Sequence, residues 1–334
     1  MPVRTYWSKM VQKKRIFSNL PYIKHRVRTM IKLKEILFLK NLKKVGKATI
    51  YNKYWEMLED CDALFDLADE VEKSGKFPKD EIIKSMDHAE RLYGEIADSQ
   101  IDVITVFDEK YPKKLDVMGN KKPLVLYLRG NIDALEKPNI AIIGTRKPSK
   151  SSQVFEKDLV KNIVNSTDRV VVSGLALGCD KIAHQATVDE NKITVAVLPG
   201  DVFKIKPSSH KKLAEDIINT GGCLISEYEP GVKVQKGNYI DRDMIVAALS
   251  DAIFIVECGV ESGTMHTVKN AEKYKRQIYS YLPDERPEGS YDGNEFILKN
   301  NEDALKVEDI EEFLDNLKSM KIKKTTKSFQ QTLI

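Results

Sequence analysis

Four short segments of the chain place glycine beside hydroxyl or charged residues, each directly after an apolar run. They are Gly144-Thr145-Arg146, residues 173–180, residues 226–231 and residues 257–264. Glycine lets the backbone approach a ligand, arginine can fork onto a phosphate, and the start of a helix offers free N–H groups to an anion. These residue types therefore favour the binding of phosphate groups.

The sequence shows no pattern typical of a catalytic or metal site. Asp180 and His184 could be mistaken for a catalytic pair, but their i, i+4 spacing on one helix favours a helix cap or a pocket wall. A P-loop lysine and a dinucleotide-binding fingerprint are both missing. The cysteines form no CxxC pair, so we expect free, mostly buried thiols at Cys61, Cys179, Cys223 and Cys258. We predict no catalytic residue, no metal and no cofactor.

A scaffold must bring the glycine-containing segments together, and the pattern after Asn139 predicts one. Apolar strands alternate with helical stretches, and each glycine-containing segment follows a strand. The predicted strands are 140–143, 169–173, 194–198, 223–226, 252–256 and 277–281, with helices at 151–165, 181–189, 209–219, 243–249 and 264–275. Near-continuous apolar strands indicate a parallel sheet covered on both faces, and regular alternation indicates a doubly wound α/β fold. Such sheets bind ligands at the carboxyl ends of their strands.

The part of the chain before this sheet is predicted to be helical. From Ile31 to about Leu67 apolar residues recur at helical spacing, with a turn through Gly46. The turn resembles a helix–hairpin–helix, which could offer N–H groups to a phosphate. One glycine of the usual turn is missing, which favours a purely structural αα-hairpin. Residues 81–96 form a further helix, and β-rich runs at 102–107 and 124–128 lead into the main domain.

These patterns divide the chain into four predicted parts. Residues 1–30 form a basic extension, 31–98 a small helical domain, 99–305 an extended Rossmann-like α/β domain, and 306–334 a short helix with a flexible tail. The chain contains no apolar run of roughly 20 residues and no secretory signal, so we expect a cytoplasmic protein that does not bind membranes.

The charge of the chain is unevenly distributed. Residues 1–47 contain fourteen Lys or Arg and a single acidic residue, Glu35, which leaves the remainder of the chain acidic. A basic arm on an acidic body can hold a polyanion by releasing its counterions. The alternatives are a solvated extension without a ligand, or a chain whose natural start is Met30.

The order and spacing of the motifs resemble the DprA/Smf family of DNA-processing proteins over about residues 100–305. The matching motifs are residues 143–146, residues 173–178 with Asp180 and His184, residues 226–231, Arg242 ahead of residues 247–250, and residues 256–264. Residues 108–112 and 126–130 resemble the entry to the family's main domain, and residues 293–298 its closing element.

The resemblance implies a Rossmann-like domain that binds single-stranded DNA and is not an enzyme. It also implies a homodimer that passes strands to a RecA-type recombinase during DNA uptake and natural transformation. Carried over by position, the residues that bind DNA or phosphate would be Gly144, Thr145, Arg146, Lys147, Ser173, Gly174, Arg242, Ser262, Gly263 and Thr264.

The chain departs from the family pattern within the expected groove. Leu177 stands where the family usually has arginine, and Asp243-Met244 stands where it has Asn-Arg. Tyr239-Ile240 replaces a Phe-Pro pair. Because each phosphate contact adds affinity through counterion release, two lost cations and one gained carboxylate predict weaker or differently placed DNA binding. The basic arm could compensate.

Two other functions fit the same sheet edge. Gly263-Thr264 resembles part of a motif in nucleotide-cleaving phosphoribohydrolases, but Thr267 occupies the position of the catalytic carboxylate. A nucleotide-sensing module that binds a small phosphorylated signal is the second alternative.

The last residues of the chain suggest a further partner. Gln330–Ile334 has the pattern Gln-x-x-Leu-Ile, which is similar to short peptides that dock on the bacterial sliding clamp. A chance match in a flexible tail explains the same letters. Loss of clamp binding after deletion of these residues would support the docking interpretation.

Overall fold

The computed structural model describes residues 30–99, 101–286 and 291–320, which divide into two compact units. The first unit comprises the chain up to Tyr111 together with Asn120–Leu126, and the second comprises Pro112–Gly119 and the chain from Tyr127 onward. Residues 1–29 of the predicted basic extension and the clamp-like Gln330–Ile334 lie outside the described residues.

The first unit is mainly helical. Its helices are α1 Leu33–Asn41, α2 Lys47–Thr49, a π-helical turn Ile50–Tyr54, α3 Trp55–Asp60, α4 Leu64–Lys73 and α5 Lys79–Ala97. The apolar faces of α1 and α5 pack together, with Ile36 and Met86 fully buried. Strand β1, Asp102–Thr105, also belongs to this unit, and directly after it Val106 N–H donates to Leu124 O (3.0 Å).

The turn between α1 and α2 differs in detail from the prediction. Lys44, and not Gly46, takes the left-handed conformation, with φ 63°. The N–H of Lys43 donates to the Glu81 carboxylate of α5 (2.7 Å). An acidic side chain therefore occupies one of the N–H groups that a phosphate would need, which favours the structural αα-hairpin.

The second unit contains the predicted parallel sheet. Its strands are β2 Val125–Gly130, β3 Asn139–Ile143, β4 Val170–Ser173, β5 Thr194–Val197, β6 Cys223–Ser226, β7 Ala252–Ile255, β8 Gln277–Tyr281 and β9 Leu305–Val307. They lie in the order β2-β6-β5-β4-β3-β7-β8-β9, and every pair is parallel except β2 with β6. The predicted doubly wound, mostly parallel α/β fold is confirmed.

Helices connect the parallel strands on both faces of the sheet. They are α6 Lys150–Ser166, α7 Cys179–Asp189, α8 Lys211–Asn219, α9 Lys236–Leu249, α10 Thr264–Lys273, α11 Asp292–Asn300 and α12 Ile310–Ser319. Short 3-10 segments occupy Lys113–Lys121, Ile132–Leu135 and Ser208–His210. Helix α9 begins at Lys236, earlier than the predicted start at Asp243. The sequence did not indicate this start, because the first turn contains Gly237 and has no apolar periodicity.

The strand order creates one topological switch point. From β3 the chain proceeds through β4, β5 and β6 on one side, and then returns to β7, β8 and β9 on the other. The loops after β3, β4 and β7 therefore leave neighbouring strands at the same edge, where doubly wound sheets bind ligands. The loop after β6 leaves the sheet three strands away from β3.

The core of the second unit is apolar. Ile140, Ile142 and Phe254 of the central strands are fully buried against α6, and Phe313 of α12 packs edge-on to Phe254. All four cysteines are free and buried, as predicted. None of the described helices has the length and apolar character needed to span a bilayer.

Candidate functional site

A cavity of about 610 Å³ opens at the switch point of the second unit. Its wall comes from the loops after β3 and β7, the start of α7, one face of α9 and the first turn of α10. The lining residues are Ile143, Gly144, Thr145, Arg146, Ala176, Asp180, Lys236, Tyr239, Ile240, Arg242, Asp243, Val246, Ser262, Gly263, Thr264, His266 and Thr267. Three of the four glycine-containing segments thus meet at one cavity.

Glycines allow the backbones at this edge to approach closely. Thr145 N–H donates to Glu257 O (2.7 Å), and Cys179 N–H donates to Thr145 O (3.1 Å). A Cβ on Gly144 would lie 2.5 Å from Cys179 Sγ, and one on Gly178, which has φ 77°, would lie 2.3 Å from Thr145 O. These two glycines are therefore required by the packing of the loops, whatever ligand the cavity holds.

Arg242 of α9 forms the floor of the cavity and is almost wholly buried, with 7% exposure. Its Nη1 donates to Asp180 Oδ2 (3.2 Å), and its Nε lies 3.2 Å from Asp243 Oδ1. The guanidinium lies directly over Gly174, where a Cβ would come within 1.2 Å of Nη1. Two carboxylates thus offset this one cation, and we call these three side chains, Asp180, Arg242 and Asp243, the floor triad.

Asp180 connects the floor triad to the loop after β4. Its Oδ2 accepts hydrogen bonds from the N–H groups of Gly174 and Ala176 (3.2 Å each) as well as from Arg242. These three donors fix the position of the Asp180 carboxylate beside the cavity. The predicted role of Asp180 as a pocket wall therefore agrees with its position.

Asp243 has a different environment from Asp180. Its side chain is 14% exposed and lines the cavity. Burial raises the pKa of its carboxyl to about 6, although the positive charge of Arg242 acts in the opposite direction. The group therefore titrates close to neutral pH, unlike an ordinary aspartate.

The mouth of the cavity carries cations without carboxylate partners. Arg146 and Lys236 are exposed and line the wall, and neither forms an ion pair with any described residue. The Arg146 guanidinium lies over the Tyr239 ring at 5.7 Å. These two charges are available to a phosphate, in contrast with that of Arg242.

The first turn of α10 adds backbone donors to the mouth. Ser262 N–H donates to Gly259 O (3.1 Å), whereas the N–H groups of Gly263 and Thr264 donate to no acceptor within the described residues. Gly263 precedes α10 as its N-cap. Free N–H groups and the positive end of a ten-residue helix favour an anion at this position.

The structure separates the predicted binding residues into two groups. Gly144, Thr145, Arg146, Arg242, Ser262, Gly263 and Thr264 line the cavity. Lys147, Ser173 and Gly174 lie outside its wall: Lys147 is exposed beside it, Ser173 is fully buried and donates to Ile142 O (2.7 Å), and Gly174 underlies Arg242. Ser173 joins β4 to β3 and has no free hydroxyl for a ligand.

His184 is buried behind the cavity and does not line it. Its Nδ1 forms a hydrogen bond with Thr194 Oγ1 (2.8 Å), and burial lowers the pKa of the imidazole to about 4. The ring is therefore neutral near pH 7. His184 and Asp180 have different hydrogen-bond partners, and only Asp180 lines the cavity.

The segment 226–231 has a structural position beside the site. Tyr228 Oη donates to Asp241 Oδ2 of α9 (2.6 Å), and Gly231 N–H donates to Asp201 Oδ2 (2.9 Å). The segment is therefore tied to α9 and to the loop after β5, and it supplies no residue to the cavity wall.

Sequence reasoning did not identify Lys236 or His266 as wall residues. Lys236, Ile240 and Asp243 lie four and three residues apart on one face of α9, and His266 follows Gly263 by three residues on α10. Helical spacing from the motif residues could have found both. The described residues contain no cluster of His, Cys, Asp or Glu suited to a metal ion.

A family model for DNA recombination-mediator protein A matches residues 102–318, which is more than half of the chain. The chain belongs to this family. The predicted DprA/Smf resemblance is confirmed, and the family assignment places the chain among DNA-processing proteins, as predicted.

Individual relatives agree with the assignment. The chain is 33% identical over 177 residues to Protein Smf of Borreliella burgdorferi, an alignment that covers 52% of this chain and 54% of that protein. It is 29% identical to DNA processing protein DprA of Streptococcus pneumoniae, over 58% of this chain and 67% of that protein. The chain spans about half the length of the first of these relatives.

Solved structures of the family share the fold. The X-ray structure of DprA from Streptococcus pneumoniae aligns with a TM-score of 0.70 at 24% identity, covering 84% of this chain and 96% of that one. A structure of DNA processing protein A from Helicobacter pylori, described for its single-stranded DNA binding mode, aligns with a TM-score of 0.59 at 28% identity, covering 66% and 96%.

Proposed function

We propose that this protein binds single-stranded DNA in the cavity at the switch point and passes the strand to a RecA-type recombinase. The observation that carries the proposal is the mouth of the cavity, where the unpaired charges of Arg146 and Lys236 lie on the same wall as the free N–H groups of Gly263 and Thr264. The single-stranded DNA binding described for the Helicobacter pylori relative supports it.

In this proposal the sugar–phosphate backbone of the strand runs along the mouth of the cavity. The Arg146 guanidinium binds one phosphate, and the N–H groups in the first turn of α10 donate hydrogen bonds to a neighbouring phosphate. Tyr239 and Ile240 lie on the same wall, and Ile240 is 44% exposed. A partly exposed aromatic and an aliphatic side chain give unstacked bases a surface on which to pack.

The departures from the family pattern act on different parts of this surface. Leu177 is 49% exposed beside the wall, where it adds an apolar contact in place of a charge. Asp243 lies in the floor, where it offsets Arg242. Since counterion release follows the number of phosphate contacts, we expect a shallow salt dependence that reports only the mouth cations.

Family membership supports a wider role in DNA processing. We propose a homodimer acting in the cytoplasm, in recombination or in the uptake of DNA during natural transformation. Docking on the sliding clamp through Gln330–Ile334 is a separate proposal, because those residues lie outside the described part of the chain. Copurification with and without these five residues tests it.

The experiment that tests DNA binding is fluorescence anisotropy with a labelled oligothymidine across a salt series. The proteins compared are the full chain, a version starting at Met30, Arg146→Ala and Lys147→Ala. Lys147 is a matched control, because it is an exposed cation next to Arg146 but outside the wall. We expect salt-sensitive binding that survives the Met30 start and is weakened by Arg146→Ala much more than by Lys147→Ala.

Two outcomes would contradict this placement of DNA. Binding that disappears in the Met30 version while Arg146→Ala has no effect would assign DNA to the basic extension. No binding in any version would remove the proposed function altogether.

A nucleotide-sensing function is the second candidate, and the size of the cavity favours it. About 610 Å³ is within the range of small-molecule sites and accommodates a single nucleotide. Tight binding of a mononucleotide with no gain for longer strands would select this function over strand binding. Thr267 lines the cavity at the position of the missing catalytic carboxylate, so we expect the nucleotide to remain uncleaved.

A further inference from the structure

The Asp243 carboxylate lines the cavity and is mostly buried, with 14% of its side chain exposed. Its Oδ1 lies 3.2 Å from Arg242 Nε, but that N–H is not aligned for a hydrogen bond and has no acceptor. No described residue donates a hydrogen bond to either carboxylate oxygen of Asp243. A mostly buried carboxylate on a cavity wall without donors is well suited to accept hydrogen bonds from a ligand.

The charge of the floor triad decides which part of a nucleotide can reach it. Asp180 and Asp243 together outweigh the single cation of Arg242, so a phosphate at the floor meets net negative charge. The mouth, with Arg146 and Lys236, attracts phosphate instead. A nucleotide that places its phosphate at the mouth must therefore turn its base towards the floor.

The bases differ in what they offer to a carboxylate. Guanine presents two adjacent donors, its ring N–H and its exocyclic amino group, which match the two oxygens of a carboxylate. Cytosine and adenine present one amino group, and the thymine N–H lies between two carbonyl oxygens that a carboxylate repels. Acidic side chains in proteins accept from base amino groups for the same reason.

We propose that Asp243 reads the base at the floor of the cavity and selects guanine in single-stranded DNA. The inference rests on the proposed function, since it assumes that a strand lies in this cavity. It assigns a specificity to a residue that sequence reasoning counted only as a loss of affinity.

The titration of Asp243 gives the selection a pH dependence. The charged groups that face it are Arg242 on its own helix, Asp180 on α7, His266 on α10 and Arg146 in the loop after β3. As the pH falls through about 6, the carboxyl gains a proton and loses its charge, and one of its oxygens becomes a hydrogen-bond donor. Selection of guanine then weakens, while binding of oligothymidine strengthens because a negative charge has left the cavity.

The test compares three strands of equal length by fluorescence anisotropy. One is oligothymidine, the second carries single guanines separated by several thymines so that guanine quartets cannot form, and the third carries hypoxanthine at the same positions and so lacks the exocyclic amino group. At neutral pH we expect the guanine strand to bind at least about five-fold more tightly than oligothymidine, the lower end of a bidentate contact to a base. The hypoxanthine strand should fall between the two.

Two variants separate this inference from the proposed function. Asp243→Asn keeps the size of the side chain and removes its charge, so guanine and thymine strands should bind equally and the thymine strand more tightly than to the wild type. Arg146→Ala should weaken both strands by the same factor. The pH series on the wild-type chain gives an independent readout that needs no variant to fold.

Each remaining outcome decides between the proposals. Equal binding of both strands to the wild type, or a preference that persists in Asp243→Asn, would overturn base selection and leave strand binding intact. Failure of every strand to bind would remove both. Competition by free deoxyguanosine monophosphate as effective as that by the guanine strand would overturn the assignment to single-stranded DNA.

Discussion

The mouth and the floor of the cavity each carry arginine, and the two arginines have opposite surroundings. Arg146 at the mouth is exposed, lies over Tyr239 and has no carboxylate partner among the described residues. Arg242 at the floor is buried between Asp180 and Asp243. A motif match treats both as phosphate-binding residues, but only the first has a charge to spare for a ligand. The comparison teaches that an arginine in a binding motif can be structural.

The largest expected effect is on stability, through the floor. Arg242→Met removes the cation and leaves the two buried carboxylates without a positive partner in the floor, so we expect the free energy of unfolding to fall by about 3–5 kcal/mol. Urea denaturation of the full chain measures it. Arg146→Ala is the control and should change stability by no more than about 0.5 kcal/mol, as exposed substitutions do. Equal effects of the two substitutions would erase the distinction between floor and mouth.

The packing of Arg242 on Gly174 gives the next effect. Gly174→Ala places a Cβ 1.2 Å from the present position of Nη1, so the guanidinium must move away from Asp180. We expect a loss of about 1–3 kcal/mol, typical of overpacking. Gly237→Ala in α9 is the matched control, since a Cβ there meets nothing within 4 Å. Equal melting temperatures of Gly174→Ala and Gly237→Ala would contradict the close packing of Arg242 on Gly174.

The titration of Asp243 sharpens the comparison through pH. Its folded pKa, about 6, lies above that of an unfolded aspartate, so the folded state binds the proton more tightly. The ionised Asp243 carboxylate therefore destabilises the folded state above about pH 6. The destabilisation disappears below the pKa of aspartate in the unfolded chain. As the pH rises from the unfolded pKa to the folded pKa of Asp243, the free energy of unfolding of Asp243→Asn relative to the wild type should increase by about 1 kcal/mol per pH unit. Denaturation at several pH values measures the difference, and a constant difference would contradict the raised pKa.

The smallest effect concerns the mouth. Removing one phosphate contact with Arg146→Ala should lower the slope of log affinity against log salt for oligothymidine by about 0.7, the contribution of one contact on a single strand. Stability should stay unchanged. A slope equal to that of the wild type, with equal affinity, would show that the charge of Arg146 does not meet a phosphate.

The fold was predictable because periodicity along the chain reports burial directly. Strands such as 140–143 and 223–226 are apolar throughout because both faces of the sheet are covered, and the helices between them carry apolar residues at helical spacing. The antiparallel pairing of β2 with β6 was not predictable, because register and direction depend on residues about a hundred positions apart.

The site was predictable only as a set of loops. Glycine, serine and arginine after β3 and β7 marked the correct sheet edge, since chain chirality places those strand ends together. The same marks after β6 pointed to residues 226–231, which strand order carries away from the cavity. Sequence spacing contains no information about strand order.

What the sequence by itself determined is the family, the fold class and the sheet edge that forms a pocket, because motif order and periodicity are local properties. Only the tertiary structure decided which charges are free. Arg242 meets Asp180 across 62 positions of the chain, Ser173 turns its hydroxyl to Ile142, and the early start of α9 brings Lys236 into the wall. Ion pairs act through distances in space, and these distances exist only after the strands have assembled.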